Sequence, residues 1–366
     1  MNFHFPEHRV LCIAENATHT MHNTLTLRGA LVRDPHVWAQ YLDEAIELFG
    51  ADSDALFAGH HWPRWGSERI VDYLKKQRDL YAYIHDQTLR LINRGLTGRE
   101  IAETLELPPE LAEEWHCRGY YGSLSHNAKA VYQRYMGWFD GNPAHLWEHT
   151  PVESAKRYVE FMGGAEQVLE QARRSFEQGD YRWVAEVVNH VVFAEPENEA
   201  ARDLQADALE QLGYGSENAT WRNFYLAGAE ELREGIAGTP TDIRAPEILA
   251  RLTVDQILDG MAVRLDGLRA WGNHLTIAWQ VTDPDERHLL ELENGVLHHR
   301  PVNEEPEAEA TLVVERAALN ELLTGDADLA DLAGSGRLRV EGNGTKLGDL
   351  LGLLEDPDPG FPIVTP

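Results

Sequence analysis

The sequence predicts a multidomain fold in three parts: a partial α/β unit over residues 1–70, an all-α region over 71–237, and an α+β unit over 246–366. Three observations carry this reading. The first seventy residues run strand, loop, helix, strand, with polar side chains at the strand ends, where α/β proteins place their chemistry. Helical periodicity then continues almost unbroken to about Ala237. A break rich in Gly, Pro and Thr, "GIAGTPTDIRAP" at 235–246, separates it from a stretch where short strands and helices alternate. A chain of 366 residues fits two or three such domains.

Each element has a local reason. Residues 8–14, with a VLCIA core, predict a short buried strand. Asp34 and Pro35 supply an N-cap and a first helical residue, so a helix is expected from 35 to 49, followed by a strand at 55–58 that delivers His60, His61, Trp62 and Pro63. The segment 67–95 is a long amphipathic helix stopped by Gly95. "TGREIAETLELPPEL" reads as two short helices separated by Leu-Pro-Pro. Residues 163–212 have small residues at packing positions and Gly-Asp-Tyr and Pro-Glu-Asn turns, the texture of tetratricopeptide-like hairpins. Beyond the break, helix 253–265, strands 274–282, 287–293 and 296–300, strand 311–314, helices 316–323 and 327–333, strand 337–341 and helix 344–353 form a self-sufficient unit. No cluster of Cys, His and carboxylates at ligand spacing is visible there, and His298 and His299 read as an exposed strand feature.

Composition excludes some functions. A formal charge of −29 repels nucleic acid phosphates and anionic membranes, so an anionic substrate must be drawn in by local positive groups or metal ions. A hydrophobic content of 43% with ten Trp supplies real cores rather than disorder. No run of eighteen apolar residues is present, and "MNFHFPEHRV" lacks the basic flank and apolar stretch of a signal peptide. Cys12 and Cys117, two cysteines far apart, suggest buried thiols in a reducing compartment, and a cytoplasmic location is expected.

The chemistry gathers in "AENATHTMHNTLTLRGA" (14–30) and "AGHHWPRWG" (58–66). Glu15, a carboxylate just past a buried strand, is either a turn cap or a hard oxygen ligand for a Zn²⁺-type ion. His19 and His22 have a spacing that by itself means little. Asn23 and Arg28 have the chemistry to hold an oxyanion, Arg through its planar fork. Pro63 stiffens the loop so that one imidazole of His60 or His61 can be aimed inward. The segment 118–146 is dense in Tyr, His and Gly within the helical region.

With "HHWPRWG", "YLKKQRDLYAYIHDQTLRLINRG", "RGYYGSLSHNAKAVYQRYMG" followed by "DGNPA", and "YVEFMGG" added to the first segment, the chain resembles the C-terminal part of the alkylsulfatases of the metallo-β-lactamase superfamily. That family's order is a metallo-β-lactamase domain, a helical dimerisation domain and a C-terminal domain similar to sterol carrier protein 2. The resemblance implies a binuclear zinc hydrolase of alkyl sulfate esters, dodecyl sulfate among them, in which zinc lowers the pKa of its water. By the same resemblance Glu15 matches a zinc-ligating glutamate, and His60 the last zinc histidine, with His61 the fallback because the doublet leaves the register open. Asn23 and Arg28 match residues that grip the sulfate, and His126 a catalytic histidine that assists the leaving side. Where the family can carry a tyrosine beyond it, this chain has Trp138, which has no phenolic proton to give.

The upstream His-x-His-x-Asp-His motif and a second acidic ligand are not in these residues, and one Glu with one His does not make a three-ligand site. The expectation is therefore a C-terminal part of such a sulfatase that is inactive alone. It would form a homodimer, act on an alkyl sulfate or similar amphiphile, and pair with a separate metallo-β-lactamase fragment. The alternative is a non-catalytic dimerisation and alkyl-chain-binding module.

Overall fold

The protein is described by a computed structural model over residues 1–236, 238, 246–283 and 285–366; most of the linker expected at 235–246 lies outside the described residues. The chain divides into two compact units, Met1–Gly235 with Pro362–Pro366, and Ile236–Phe361. The partial α/β region and the all-α region thus share one unit.

The first unit opens with a four-stranded sheet of order β1-β2-β3-β4, made of Phe3–Phe5, Val10–Cys12, Ala55–Phe57 and Arg64–Trp65. Strands β2 and β3 are parallel, and the two outer pairs are antiparallel. The crossover between β2 and β3 carries helix α1 (Pro35–Ala45). Asp34 accepts from the backbone N–H groups of His36 and Val37, and Pro35 needs no hydrogen-bond acceptor, so the helix starts where expected. It ends at Ala45 rather than 49, because residues Ile46–Gly50 widen into a π-helical turn. Strands β1 and β4 were not anticipated; two- and three-residue edge strands are too short to show a period in sequence.

One face of this sheet packs. Leu11 and Leu56 meet Leu42 of α1 and Ile70, Tyr73 and Leu74 of α2 (Ser67–Ile92). Helix α2 buries positions 70, 73, 74, 77, 80, 81 and 84, an i, i+3, i+4, i+7 stripe. It closes at Gly95, whose φ of +85° a residue with a Cβ adopts only at a cost. The short helices α3 (Gly98–Thr104) and α4 (Pro109–Ala112) follow, then α5 (Leu124–Met136), which packs against α2 and α3. Helices α6 (Pro151–Phe161), α7 (Ala165–Glu177), α8 (Tyr181–Ala194), α9 (Glu199–Gly215) and α10 (Ala219–Glu234) pack around Val184, Val188 and Val191, with α6, α7 and α9 against α8 and α10 against α9. The C-terminal residues return to this unit, where Ile363 and Val364 donate their backbone N–H groups to Glu231 Oε1 at 2.8 and 3.0 Å.

The second unit is α+β, as expected. After α11 (Pro246–Leu249) and α12 (Val254–Arg264) come β5 (Leu275–Val281), β6 (Glu286–Glu293), β7 (Val296–Pro301) and β8 (Ala310–Val314). Helices α13 (Arg316–Thr324) and α14 (Leu329–Gly334), strand β9 (Leu338–Gly342) and helix α15 (Thr345–Leu351) complete it. The sheet order is β7-β6-β5-β8-β9, antiparallel except for the β5–β8 pair. Val254, Ile257, Leu258 and Met261 of α12 pack with Leu290, Leu292 and Leu297 of the β6–β7 hairpin. Among the described residues, no helix is long and apolar enough to cross a membrane. Both cysteines are free; Cys117 is buried, whereas Cys12 is only half-buried.

Candidate functional site

The loops leaving β2 and β3 run side by side because the Ile13 N–H donates to Phe57 O at 3.0 Å and the Gly59 N–H to Ala14 O at 2.8 Å. This parallel pairing brings residues 45 positions apart together. His60 Nε2 lies 2.8 Å from Glu15 Oε1, on the rim of the sheet, where both side chains are about half exposed. The bond from His60 is the main reason the Glu15 carboxyl sits below its ordinary pKa; burial acts in the opposite sense. His61, the fallback of the doublet, has a left-handed φ of +69° and lies against the rings of His19 and Trp62.

A second imidazole faces the same carboxylate. His22 is buried, with Nε2 3.7 Å from Glu15 Oε2 and Nδ1 2.8 Å from the carbonyl oxygen of Asn23. A carbonyl only accepts, so Nδ1 carries the proton and Nε2 presents a lone pair toward Glu15. Burial lowers the His22 pKa and keeps the ring neutral. His19 is also buried, stacked on Tyr73 and beside Trp62, with neither ring nitrogen partnered; burial, aided by Arg64, takes its pKa down to about 4.

Asn23 is fully buried behind this rim. Its Oδ1 accepts from Thr26 Oγ1 at 3.0 Å and Arg33 Nη1 at 3.2 Å, while its Nδ2 has no partner. A buried amide N–H without a protein acceptor is a donor that an anionic oxygen can engage. Arg28 is exposed and forms no side-chain hydrogen bond or ion pair among the described residues. The guanidinium that touches Asn23 is that of Arg33, which also reaches Thr26 Oγ1 at 3.0 Å. Arg33 and Glu15 line a depression of about 240 Å³ together with Trp38 and Tyr41. Sequence reading passed over Arg33 because its proximity to Asn23 depends on the fold of the 23–33 loop.

Helix α5 braces the loop from behind. Asn127 Oδ1 accepts from Thr24 N–H at 2.9 Å, and its Nδ2 donates to His22 O at 3.0 Å. Gly122 allows the approach: a Cβ there would stand 2.8 Å from the backbone of His22 and Asn23. His126, one residue before Asn127, is buried with both ring nitrogens engaged. Nε2 lies 2.6 Å from Leu25 O, and Nδ1 accepts from Trp221 Nε1 of α10 at 3.0 Å. Trp138 is 77% exposed just past the end of α5 and contacts Phe139.

In the second unit, His298 is exposed as expected, but His299 is not a mere surface feature. It meets His288 and Asp255, so residues far apart in sequence do form a cluster at ligand spacing. The expectation of no such cluster failed because the register of one hairpin and the seat of one helix create it.

Comparison with known proteins places these residues in context. A family profile described as "Alkyl sulfatase dimerisation" matches residues 97–235, and one described as "Alkyl sulfatase C-terminal" matches 242–366. A "Linear primary-alkylsulfatase" from Pseudomonas sp. is 48% identical over 367 residues, covering all of this chain and 54% of the relative. Another "Linear primary-alkylsulfatase", from Pseudomonas sp. (strain ATCC 19151), is 34% identical over 97% of this chain and 69% of its own length. The solved structure of the stereoselective inverting sec-alkylsulfatase Pisa1 from Pseudomonas sp. matches with a TM-score of 0.95 and 46% identity, over all of this chain and 58% of that one. The chain thus spans little more than half the length of curated relatives that it matches at 48% identity, and corresponds to their C-terminal portion. With its sequence and its fold matched along the whole length, the chain belongs to the alkylsulfatase family.

Proposed function

We propose that this chain supplies the C-terminal part of a zinc-dependent alkyl sulfate ester hydrolase. The observation that carries the reading is the convergence of Glu15 and His60 at 2.8 Å on the rim between two parallel strands. A carboxylate and an imidazole form a hard and borderline donor pair suited to zinc, and the lone pair of His22 points at the same carboxylate. Glu15 and His60 would hold the metal, which when bound supplies Lewis acidity and lowers the pKa of water. Asn23, with its unpartnered Nδ2, would donate to a sulfate oxygen, and the unpaired Arg28 would bring positive charge to the same anion.

His126 would orient rather than exchange protons in the conformation described, since both its nitrogens are occupied. The domain limits proposed are 1–70 for the catalytic-domain portion of metallo-β-lactamase type, 71–237 for the dimerisation domain and 246–366 for the C-terminal domain. A homodimer formed through the helical region and a cytoplasmic location belong to the same proposal.

Two donors leave a zinc ion short of its usual three protein ligands. The open face of the first sheet supports a partner that brings the rest. Phe3, Phe5, Phe57 and Trp65 share that face by register and are 40–65% exposed. Such a contiguous apolar surface is a feature of interaction sites. A metallo-β-lactamase polypeptide carrying His-x-His-x-Asp-His, added to this chain, is expected to restore zinc-dependent release of sulfate from dodecyl sulfate. Glu15→Gln should lower that rate at least 100-fold, the scale of losing a metal ligand or its close support. No gain on mixing two folded fragments would overturn the reading.

A second reading, an alkyl-chain-binding module, rests on a cavity of about 280 Å³ in the second unit, lined by Met261, Trp279, Leu312 and Leu322 among others. It is slightly below the usual range for ligand pockets, so it suits a narrow chain. Detergent binding that persists in the presence of a chelator would favour this role for that unit.

A further inference from the structure

The second unit contains a set of side chains that the sulfatase reading does not use. His288 on β6 and His299 on β7 lie on the same face of the hairpin, because the register pairs Leu290 with His299 and His288 with Pro301. Helix α12 crosses that face, and its first turn presents Asp255 to both rings. Asp255 Oδ1 is 3.4 Å from His288 Nδ1 and 3.6 Å from His299 Nδ1. His288 is only 2% exposed, and neither Nδ1 atom has a hydrogen-bond partner. A buried imidazole nitrogen left unpaired costs on the order of 1–3 kcal/mol, so two of them facing one carboxylate oxygen require an explanation.

The opposite sides of the rings supply it. His299 Nε2 lies 2.8 Å from Asp259 Oδ1, one helical turn after Asp255, and His288 Nε2 lies 3.7 Å from Glu286 Oε2. In His299 a proton held on Nε2 by Asp259 leaves Nδ1 as a lone pair, the carboxylate–histidine arrangement that orients metal ligands and raises their basicity, whereas Glu286 lies beyond hydrogen-bond reach of His288 Nε2. The three inward atoms lie within 4.8 Å of one another. Ligands about 2.0–2.1 Å from a tetrahedral ion are separated by about 3.3–3.4 Å, close to the two Asp255 distances. Asp255 is about half exposed, so a fourth position is open to water.

We propose that Asp255, His288 and His299 form a binding site for a divalent cation of the zinc type, independent of Glu15 and His60. Two nitrogens and one carboxylate oxygen select a borderline ion such as zinc over magnesium or calcium, which prefer oxygen ligands. The bound ion ties the start of α12 to β7, the edge strand of the five-stranded sheet. The cluster of His36, His85 and Asp86 in the first unit makes a weaker case, because His85 Nδ1 is 2.7 Å from Asp86 and its Nε2 is 2.8 Å from the Tyr135 hydroxyl.

The test is calorimetric titration of the full chain with zinc in a Glu15→Gln/His60→Gln background, which removes the donors of the first site. The expected result is one zinc per chain, with cobalt giving the visible absorption of a low-coordinate N/O site. Asp255→Asn should weaken binding at least 10-fold and abolish the cobalt spectrum. Asp259→Asn should weaken it about 10-fold or more through His299. His288→Gln and His299→Gln should behave like Asp255→Asn; if they fail to fold, Asp255→Asn, at a half-exposed position, carries the test. Absence of zinc uptake in the background variant would overturn the proposal. So would affinity and stoichiometry unchanged by Asp255→Asn in a chain with native circular dichroism.

Discussion

Trp221 Nε1 stands 3.0 Å from His126 Nδ1, and this contact decides which imidazole nitrogen carries the proton. An indole N–H only donates, so Nδ1 is the acceptor and the proton resides on Nε2, directed at Leu25 O. A helix near the end of the first unit thus sets the tautomer of a histidine on α5, and that histidine holds the loop carrying Asn23.

Trp221→Phe should loosen this arrangement. Burial is the main reason the His126 pKa lies below its ordinary value, and the Lys129 ammonium adds to it against the bond to Leu25 O; by occupying the lone pair that protonation would need, the indole bond is expected to act in the same lowering sense. Nitrogen-15 NMR of the ring should show the Nε2–H tautomer in the wild type and a higher titration midpoint in the variant. Loss of one buried hydrogen bond should also cost about 1–2 kcal/mol in chemical unfolding. An unchanged midpoint would show that the indole does not control this ring.

Asn127 and Gly122 should be intolerant of change for different reasons. Asn127→Ala removes the partners of Thr24 N–H and His22 O in a fully buried place, at an expected cost of about 2–3 kcal/mol. Gly122→Ala introduces a methyl 2.8 Å from backbone atoms of His22 and Asn23, so the loop must move; a cost of about 1–3 kcal/mol is expected. Urea denaturation measures both.

Stability should rise with pH through the weakly acidic range. His116 is buried, and burial lowers its pKa from 6.5 to about 4. Between those values the unfolded chain holds a proton that the folded chain does not, so this contribution is complete above about pH 6.5 and shrinks as pH falls toward 4. Each such group steepens the dependence by about 1.4 kcal/mol per pH unit. His116→Gln should flatten the difference between urea unfolding at pH 5 and pH 7 by about 2 kcal/mol. An identical pH dependence in the variant would count against a neutral, buried His116.

The pairing of Glu15 with His60 can be read directly. His60→Ala removes the bond that is the largest cause of the low Glu15 pKa, so the carboxyl should titrate closer to 4.5. Carbon-13 NMR of the Glu15 carboxyl is the measurement. No upward movement would show that His60 does not hold this carboxylate in solution.

Local chemistry made much of this protein legible from its sequence. The Asp34–Pro35 helix start, the stop at Gly95 and the strand and helix rhythm of the second unit all follow from short-range sterics, capping and hydrophobic period. Glu15 stood out as a carboxylate just past a buried strand, Asn23 by its chemistry for holding an oxyanion, and His60 with His61 as a doublet in a loop fixed by Pro63. Sequence alone therefore determined the longer elements, their order and the residue types of one candidate site, but not the short edge strands β1 and β4. The tertiary structure decided what meets what: His60 rather than His61 on Glu15, Arg33 rather than Arg28 on Asn23, Trp221 on His126, and Asp255 between His288 and His299. Those choices depend on parallel strand pairing, hairpin register and helix seating, which join residues tens of positions apart. A local pattern holds no term for such contacts, because their energy exists only once the intervening chain is folded.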